Sequence, residues 1–414
     1  MNRIVISGVG MVSAYGLSFQ DFKQGLKDQA LKVQLKTDWT LEPIGPQYSF
    51  EAPAFNIKDY FDNIRAPKPL RYSQLAMMGC LDALQDSGLK DYDYVDDRVG
   101  LIVNTAYGAS EANEAFLRTL LIKGPRRVSP FKFAQTVSNV CLGNVCRPFE
   151  LRGPSSLLFA ESSISYGIDL LQNNQADVII CGGVDALTEY VFGYYRHYNH
   201  LVNNGLSEEE AEVQAHYLAD GRAQATQSRH TIGEAGAFVV LERLEHAQQR
   251  GADIYAEVLD YQSQFDAAYD AFVFERSTEV YEQSMRNLLT RQNIDTTAIG
   301  GVVGAAYSPW FYKEVEAPAL KQVFGNHEIH YTSAKPAIGE VASAASQASM
   351  GLGALMLKEQ CITGFIPHSD LYDQAENVQV SSGRIDKEAL NYLLVNTVID
   401  GGNTTSFLLK KYES

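Results

Sequence analysis

Cysteines, histidines, glycine pairs and one basic cluster are the places where this chain could do chemistry, and their spacing narrows what that chemistry is. Cys80, Cys141, Cys146, Cys181 and Cys361 contain no C-x-x-C pair. Neither disulfides nor a zinc site are therefore expected, and an odd cysteine count fits reduced thiols in a cytoplasmic compartment. His197-x-x-His200 sets two imidazoles close together. A third ligand at recognisable spacing is missing, so the pair reads as surface or interface rather than as a metal site. Gly182-Gly183 and Gly401-Gly402 have neither the P-loop lysine and hydroxyl nor the G-x-G-x-x-G order that cradles a phosphate. No nucleotide, metal or other cofactor is expected. Asn403-Thr404-Thr405 matches the glycosylation pattern, which a cytoplasmic chain leaves unused. Lys123-Gly124-Pro125-Arg126-Arg127 is the main basic cluster in a chain of formal charge -16. It is either a solvated loop or a dock for an acidic partner.

The elements that must position such residues alternate along the chain. Arg3 to Ser13 begins with β-branched residues and meets glycines, which predicts a buried strand running into a turn. Ile254 to Leu259 opens the second half in the same way. Leu75, Met78, Leu81 and Leu84 mark a helical face that stops near Gly88, and Val99 to Val103 follows as a strand. Tyr281, Met285, Leu288 and Leu289, followed by Val302 and Val303, repeat that order. Ala176 to Cys181 predicts a further strand, and Gly236 to Leu241 and Thr405 to Lys410 close the two halves alike. The pattern implies an internal duplication, α/β in class, with parallel or mixed sheets covered by helices on both faces. The halves are 1–250, with a helical excursion at about 199–229, and 251–414, expected to pack as one unit.

With 414 residues, 45% of them hydrophobic and 20% charged, the chain has enough apolar material for a large core. Its acidic balance is spread along the sequence, which favours solubility and disfavours nucleic acid and anionic lipid. Met1 to Ser13 lacks a basic leader and a small-residue cleavage site, and no apolar stretch is long enough to span a bilayer. Neither secretion nor a membrane partner is expected.

Eight segments in register resemble the 3-oxoacyl-acyl carrier protein synthases, or ketosynthases. They are RIVISGVGMVS at the start, Gly124 to Phe131 (GPRRVSPF), Leu151 to Pro154 (LRGP), Ala176 to Gly183 (ADVIICGG), Gly233 to Glu242 (GEAGAFVVLE), Glu316 to Gly325 (EAPALKQVFG), Ser333 to Gly339 (SAKPAIG) and Gly401-Gly402-Asn403. The resemblance implies the thiolase fold, a duplicated five-layered αβαβα architecture. It also implies a Cys-His-His site, where cysteine takes the acyl chain and two histidines assist decarboxylation of malonyl carrier protein and stabilise the enolate. A thiolate stores the thioester, whereas a serine needs a base within hydrogen-bond reach. Histidine donors aimed at a developing oxyanion are worth roughly 100-fold to 1,000-fold each.

Carried onto this chain, the three positions fall on Ser162, Ala305 and Glu340, and none of the eight histidines lies at either histidine position. The chain is a few residues short between Ser162 and Asp177, so Ser163 or Ser165 is an alternative counterpart of the nucleophile. With all three residues lost, the resemblance is nearest to the chain length factors, which pair with an active ketosynthase in type II polyketide synthases. GGVDAL and Glu161 are closer to that subgroup, while Ser162 departs from its usual glutamine and points to a divergent branch, for example one serving aryl polyene or anthraquinone pathways. That reading implies a heterodimer with an active ketosynthase, carrier protein reaching the complex, and an elongation tunnel at the interface whose end falls on Phe133, Thr136, Val137 and Val140. Those apolar residues are equally compatible with plain interface core. Lys335 and Glu316 match retained family positions and are expected to pair in a structural role. Asp400 replaces the phenylalanine that gates acyl entry. Three other readings stay open: a divergent ketosynthase or acyltransferase using a serine, a malonyl-carrier-protein decarboxylase, and a scaffold without influence on chain length.

Overall fold

The computed structural model describes residues 2–36, 47–62, 68–92, 96–159, 161–197, 231–267, 276–306, 309–366, 377–399 and 402–413. Eleven strands form one mixed sheet: β1 (Ile4–Val12), β2 (Val99–Asn104), β3 (Ser155–Leu158), β4 (Val178–Asp185), β5 (Ala235–Arg243), β6 (Ala256–Phe265), β7 (Ile299–Gly304), β8 (Ile329–Ser333), β9 (Val378–Val380), β10 (Tyr392–Ile399) and β11 (Asn403–Lys411). Their spatial order is β9-β8-β7-β10-β11-β6-β1-β5-β4-β2-β3.

Outward from β1, two antiparallel steps through β5 and β4 are followed by parallel steps to β2 and β3. Outward from β6, two antiparallel steps through β11 and β10 are followed by parallel steps to β7, β8 and β9. The two arms thus share one order and sense, as the repeated hydrophobic pattern predicts. Among the described strands the two arms pair with each other where Ile4 to Ile6 meet Val258 to Ala256. Beyond Ile6 the amides of Val9 and Met11 donate instead to Asp86 and Asp82, both at 2.9 Å. Two carboxylates take the place of a strand, because a buried amide without an acceptor is costly.

Helices α1 (Arg71–Asp86), α2 (Ser110–Lys123), α3 (Ser163–Gln172), α4 (Thr278–Gln292), α5 (Ala317–Phe324) and α6 (Ala344–Glu359) complete the layers. α1 covers the outside of the first arm, α3 and α6 lie between the arms, and α4 and α5 cover the outside of the second. The core divides accordingly into an outer cluster around Leu75 and Phe238, a central one around Ile164 and Leu352, and another outer one around Met285 and Tyr331. This is the five-layered α/β arrangement expected from the sequence. α1 is buried on more than its predicted face, because Cys141 and Val145 of the short helix Val140–Cys146 pack against it as well. Close packing of α1 on β1 depends on glycine: a Cβ on Gly10 would stand 2.2 Å from the Gly79 carbonyl oxygen. Gly182 and Gly183 belong to β4 rather than to a loop, and a Cβ on Gly182 would meet the Phe238 ring at 2.1 Å.

Candidate functional site

Ser162 and Ala305 stand shortly after the strands β3 and β7, and Glu340 follows the short helix Lys335–Ile338 after β8, so the three come from elements of both arms. Ser162 caps α3: its backbone is extended and its hydroxyl accepts the Ser165 N–H at 3.2 Å. Serine is well suited to that role, since its oxygen satisfies one of the four orphan amides at a helix start. No imidazole or carboxylate among the described residues hydrogen-bonds the Ser162 hydroxyl. Ser163 points inward, donating to the Gly182 carbonyl at 3.0 Å and accepting from Gln347 at 2.8 Å. Among the described residues the buried Ser165 hydroxyl has no hydrogen-bond partner.

Ala305 follows β7, and its N–H donates to Glu316 Oε1 at 2.7 Å while that of Ala306 donates to Oε2 at 3.0 Å. Tyr281 and Tyr331 donate their hydroxyls to the same carboxylate. Glu316 is fully enclosed, and burial holds its carboxyl above the usual range despite four donors. The expected pair of Lys335 with Glu316 does not form. Lys335 reaches Glu340 Oε2 at 2.7 Å instead, both side chains buried. The physical reason is local: the short helix Lys335–Ile338 ends at Gly339, with φ +84, and the chain turns Glu340 back over the ammonium. The other Glu340 oxygen accepts the Ala342 N–H at 2.9 Å, and its backbone bridges to Thr231 and Gly233 of the first arm. A carboxylate therefore occupies the position where the family resemblance calls for imidazole, and it is already engaged.

The seam between the arms carries a polar network that residue spacing did not reveal. Asp185, at the end of β4, accepts from the Thr105 hydroxyl at 2.7 Å, from the amides of Ala106 and Tyr107, and from that of Ser343 in the second arm. Burial pushes its carboxyl up. Gln347 of α6 donates to Asn104 at 2.8 Å as well as to Ser163. The aspartate of the GGVDAL segment was the available signal, but its partners are up to 158 residues away in sequence.

The beta-ketoacyl synthase N-terminal domain model matches residues 1–247 and the C-terminal domain model residues 255–368. This chain belongs to the beta-ketoacyl synthase family. A 3-oxoacyl-[acyl-carrier-protein] synthase 2 of Staphylococcus aureus (strain N315) is 25% identical to this family member over 420 residues, covering 100% of the chain and 99% of the relative. The enzyme of the same name from Coxiella burnetii (strain RSA 493 / Nine Mile phase I) is 27% identical over 365 residues, covering 86% of each. Among solved structures, the ishigamide ketosynthase/chain length factor superposes with a TM-score of 0.83 at 20% identity over 100% of both chains. A type II PKS acyl-carrier protein in complex with its ketosynthase bound to the hexaketide gives 0.79 at 18% identity, again over 100% of both.

In this ketosynthase-family chain the predicted tunnel stretch is a short helix, Pro130–Ala134, an irregular stretch and the start of the helix Val140–Cys146. Phe133 and Val137 are exposed by 59% and 51%, and Thr136 and Val140 are half-buried. Leu121, Ile122 and Phe131 are exposed as well, as is Phe159 just past the edge strand β3. Lys123, Arg126 and Arg127 are exposed at the end of α2 and in the turn after it. Among the described residues no group of three His, Cys, Asp or Glu is placed to hold a metal, and no helix is long and apolar enough to cross a membrane. Asp400, Gly401, His200 and the excursion at 199–229 lie outside the described residues, as does the side chain of His197.

Proposed function

We propose that this chain is a non-catalytic, chain-length-factor-type subunit that heterodimerises with an active ketosynthase and shapes the elongation tunnel of a type II polyketide synthase. In this reading its two halves, 1–250 and 251–414, act as one unit, and carrier protein visits the complex through the basic turn at Lys123, Arg126 and Arg127. The observation that carries the proposal is the chemistry at three positions: a capping hydroxyl at Ser162, a methyl at Ala305, and at Glu340 a carboxylate clasped by Lys335. None of these can store a thioester as a thiolate or donate from a neutral imidazole.

The exposed apolar side chains Leu117, Leu121, Ile122, Phe131, Phe133 and Val137, and separately the sheet edge at β3, support a partner-binding surface. Contiguous apolar surface and open sheet edges mark interaction sites on folded proteins. A serine-dependent acyltransferase or decarboxylase is less well supported, because the Ser162 hydroxyl has no described base.

The deciding experiment is native mass determination of this chain co-expressed with its ketosynthase, followed by a condensation assay on the species that forms. A one-to-one heterodimer that extends malonyl units, with neither subunit competent alone, is the expected result. A homodimer that condenses or decarboxylates malonyl carrier protein unaided would overturn the proposal. A scaffold without influence on length is separated by resizing Val137 or Phe133 in the heterodimer: unchanged products in both directions leave only scaffolding.

A further inference from the structure

We propose that Phe159 is a specificity-determining residue of the elongation tunnel, with Gly108 and Ser138 forming the wall its ring closes against; this rests on the chain-length-factor reading. Phe159 stands just past β3, three positions before Ser162, and is 53% exposed. The end of β3 is tied to the loop after β2, since the Thr105 N–H donates to the Leu158 carbonyl at 3.1 Å. That loop brings Gly108 beneath the ring.

Gly108 has φ +52, and a Cβ there would fall 2.1 Å from the Ser138 hydroxyl and 3.6 Å from the tip of the Phe159 ring. The bare α-carbon is what lets serine and ring approach from two sides. Ser138 itself is pinned: its hydroxyl accepts the Ala109 N–H at 3.3 Å and its carbonyl accepts the Tyr72 hydroxyl at 3.4 Å. Thus a rigid polar floor carries an apolar ring, and the exposed Val137 is the next residue along. Phe133 differs, because its ring leans on Phe116 at 5.6 Å, so truncating it also loosens α2. No aromatic side chain among the described residues braces Phe159. Shortening Phe159 therefore frees room beside the Val137–Ser138 stretch while the hydrogen bonds that hold Ser138 remain, and enlarging it takes that room up.

The test is the product distribution, read by mass spectrometry, of heterodimers carrying Phe159→Leu, Phe159→Ala or Phe159→Trp, each first checked for assembly by native mass. The truncations are expected to shift the main product up by at least one malonyl-derived unit, and the tryptophan variant to shift it down. Assembled, active heterodimers that all return the unaltered distribution overturn the inference and leave the chain-length-factor reading standing. Loss of assembly in both truncations, with unchanged products from the tryptophan variant, makes the ring interface packing alone and overturns it too. An unmutated chain that forms no heterodimer overturns both.

Discussion

At the scale of single residues, the chemistry of the turns after the strands decides what this chain can do. Ser162→Cys supplies a thiol at the capping position but leaves Ala305 and Glu340 without imidazole. The isolated variant is therefore expected to show no malonyl-dependent condensation, measured as release of carbon dioxide and formation of a longer acyl carrier; measurable turnover would refute the account of the site. Lys335 and Glu340 are a buried pair in which each partner's burial is tolerated because of the other. Lys335→Met is expected to cost about 3 kcal/mol of stability, and the Lys335→Met, Glu340→Gln double variant less than the sum of the single ones. Equal additive losses in chemical denaturation would show that the two side chains are not coupled.

Among elements, the contact of α1 with β1 is the most constrained. Asp82 and Asp86 leave the last turn of α1 to accept β1 amides, and Asp82 also accepts the Phe19 N–H at the start of the helix Phe19–Asp28. Burial is the main cause that raises the Asp82 carboxyl to about 6, with the neighbouring Asp86 and Asp21 adding to it. Its folded value thus lies above the unfolded value near 4. The stability it contributes is full below about pH 4 and is lost as pH rises through about 6, a difference on the order of 3 kcal/mol. Asp82→Asn removes that titration. Unmodified protein should therefore gain stability relative to the variant between pH 7 and pH 4.5, as read by the difference in Tm at the two values. A constant difference would place the titration elsewhere.

Over the whole molecule, charge and exposed apolar surface separate into neighbouring regions. A chain of net charge -16 that keeps Lys123, Arg126 and Arg127 exposed beside Leu121 and Ile122 pairs an acidic body with a basic turn. Replacing the three by serine is expected to raise the KM for carrier protein several-fold in the heterodimer and to flatten its salt dependence, with heterodimer mass unchanged. An unaltered KM at low salt would make the turn a solvated loop. The sequence by itself determined the duplicated α/β order, because strands and helices are set by local hydrophobic periods that recur at Leu75 to Val103 and at Tyr281 to Val303. It also carried the expectation that the family's three site positions fall on Ser162, Ala305 and Glu340, since motif counting needs only chain order. Only the tertiary structure decided which groups answer one another. Lys335 turned from Glu316 to Glu340, Asp82 and Asp86 replaced a departing strand, and Asp185 and Gln347 bound the two arms together. A buried charge or amide takes whichever partner the packed fold brings within about 3 Å, and a partner 158 residues away leaves no trace in local spacing.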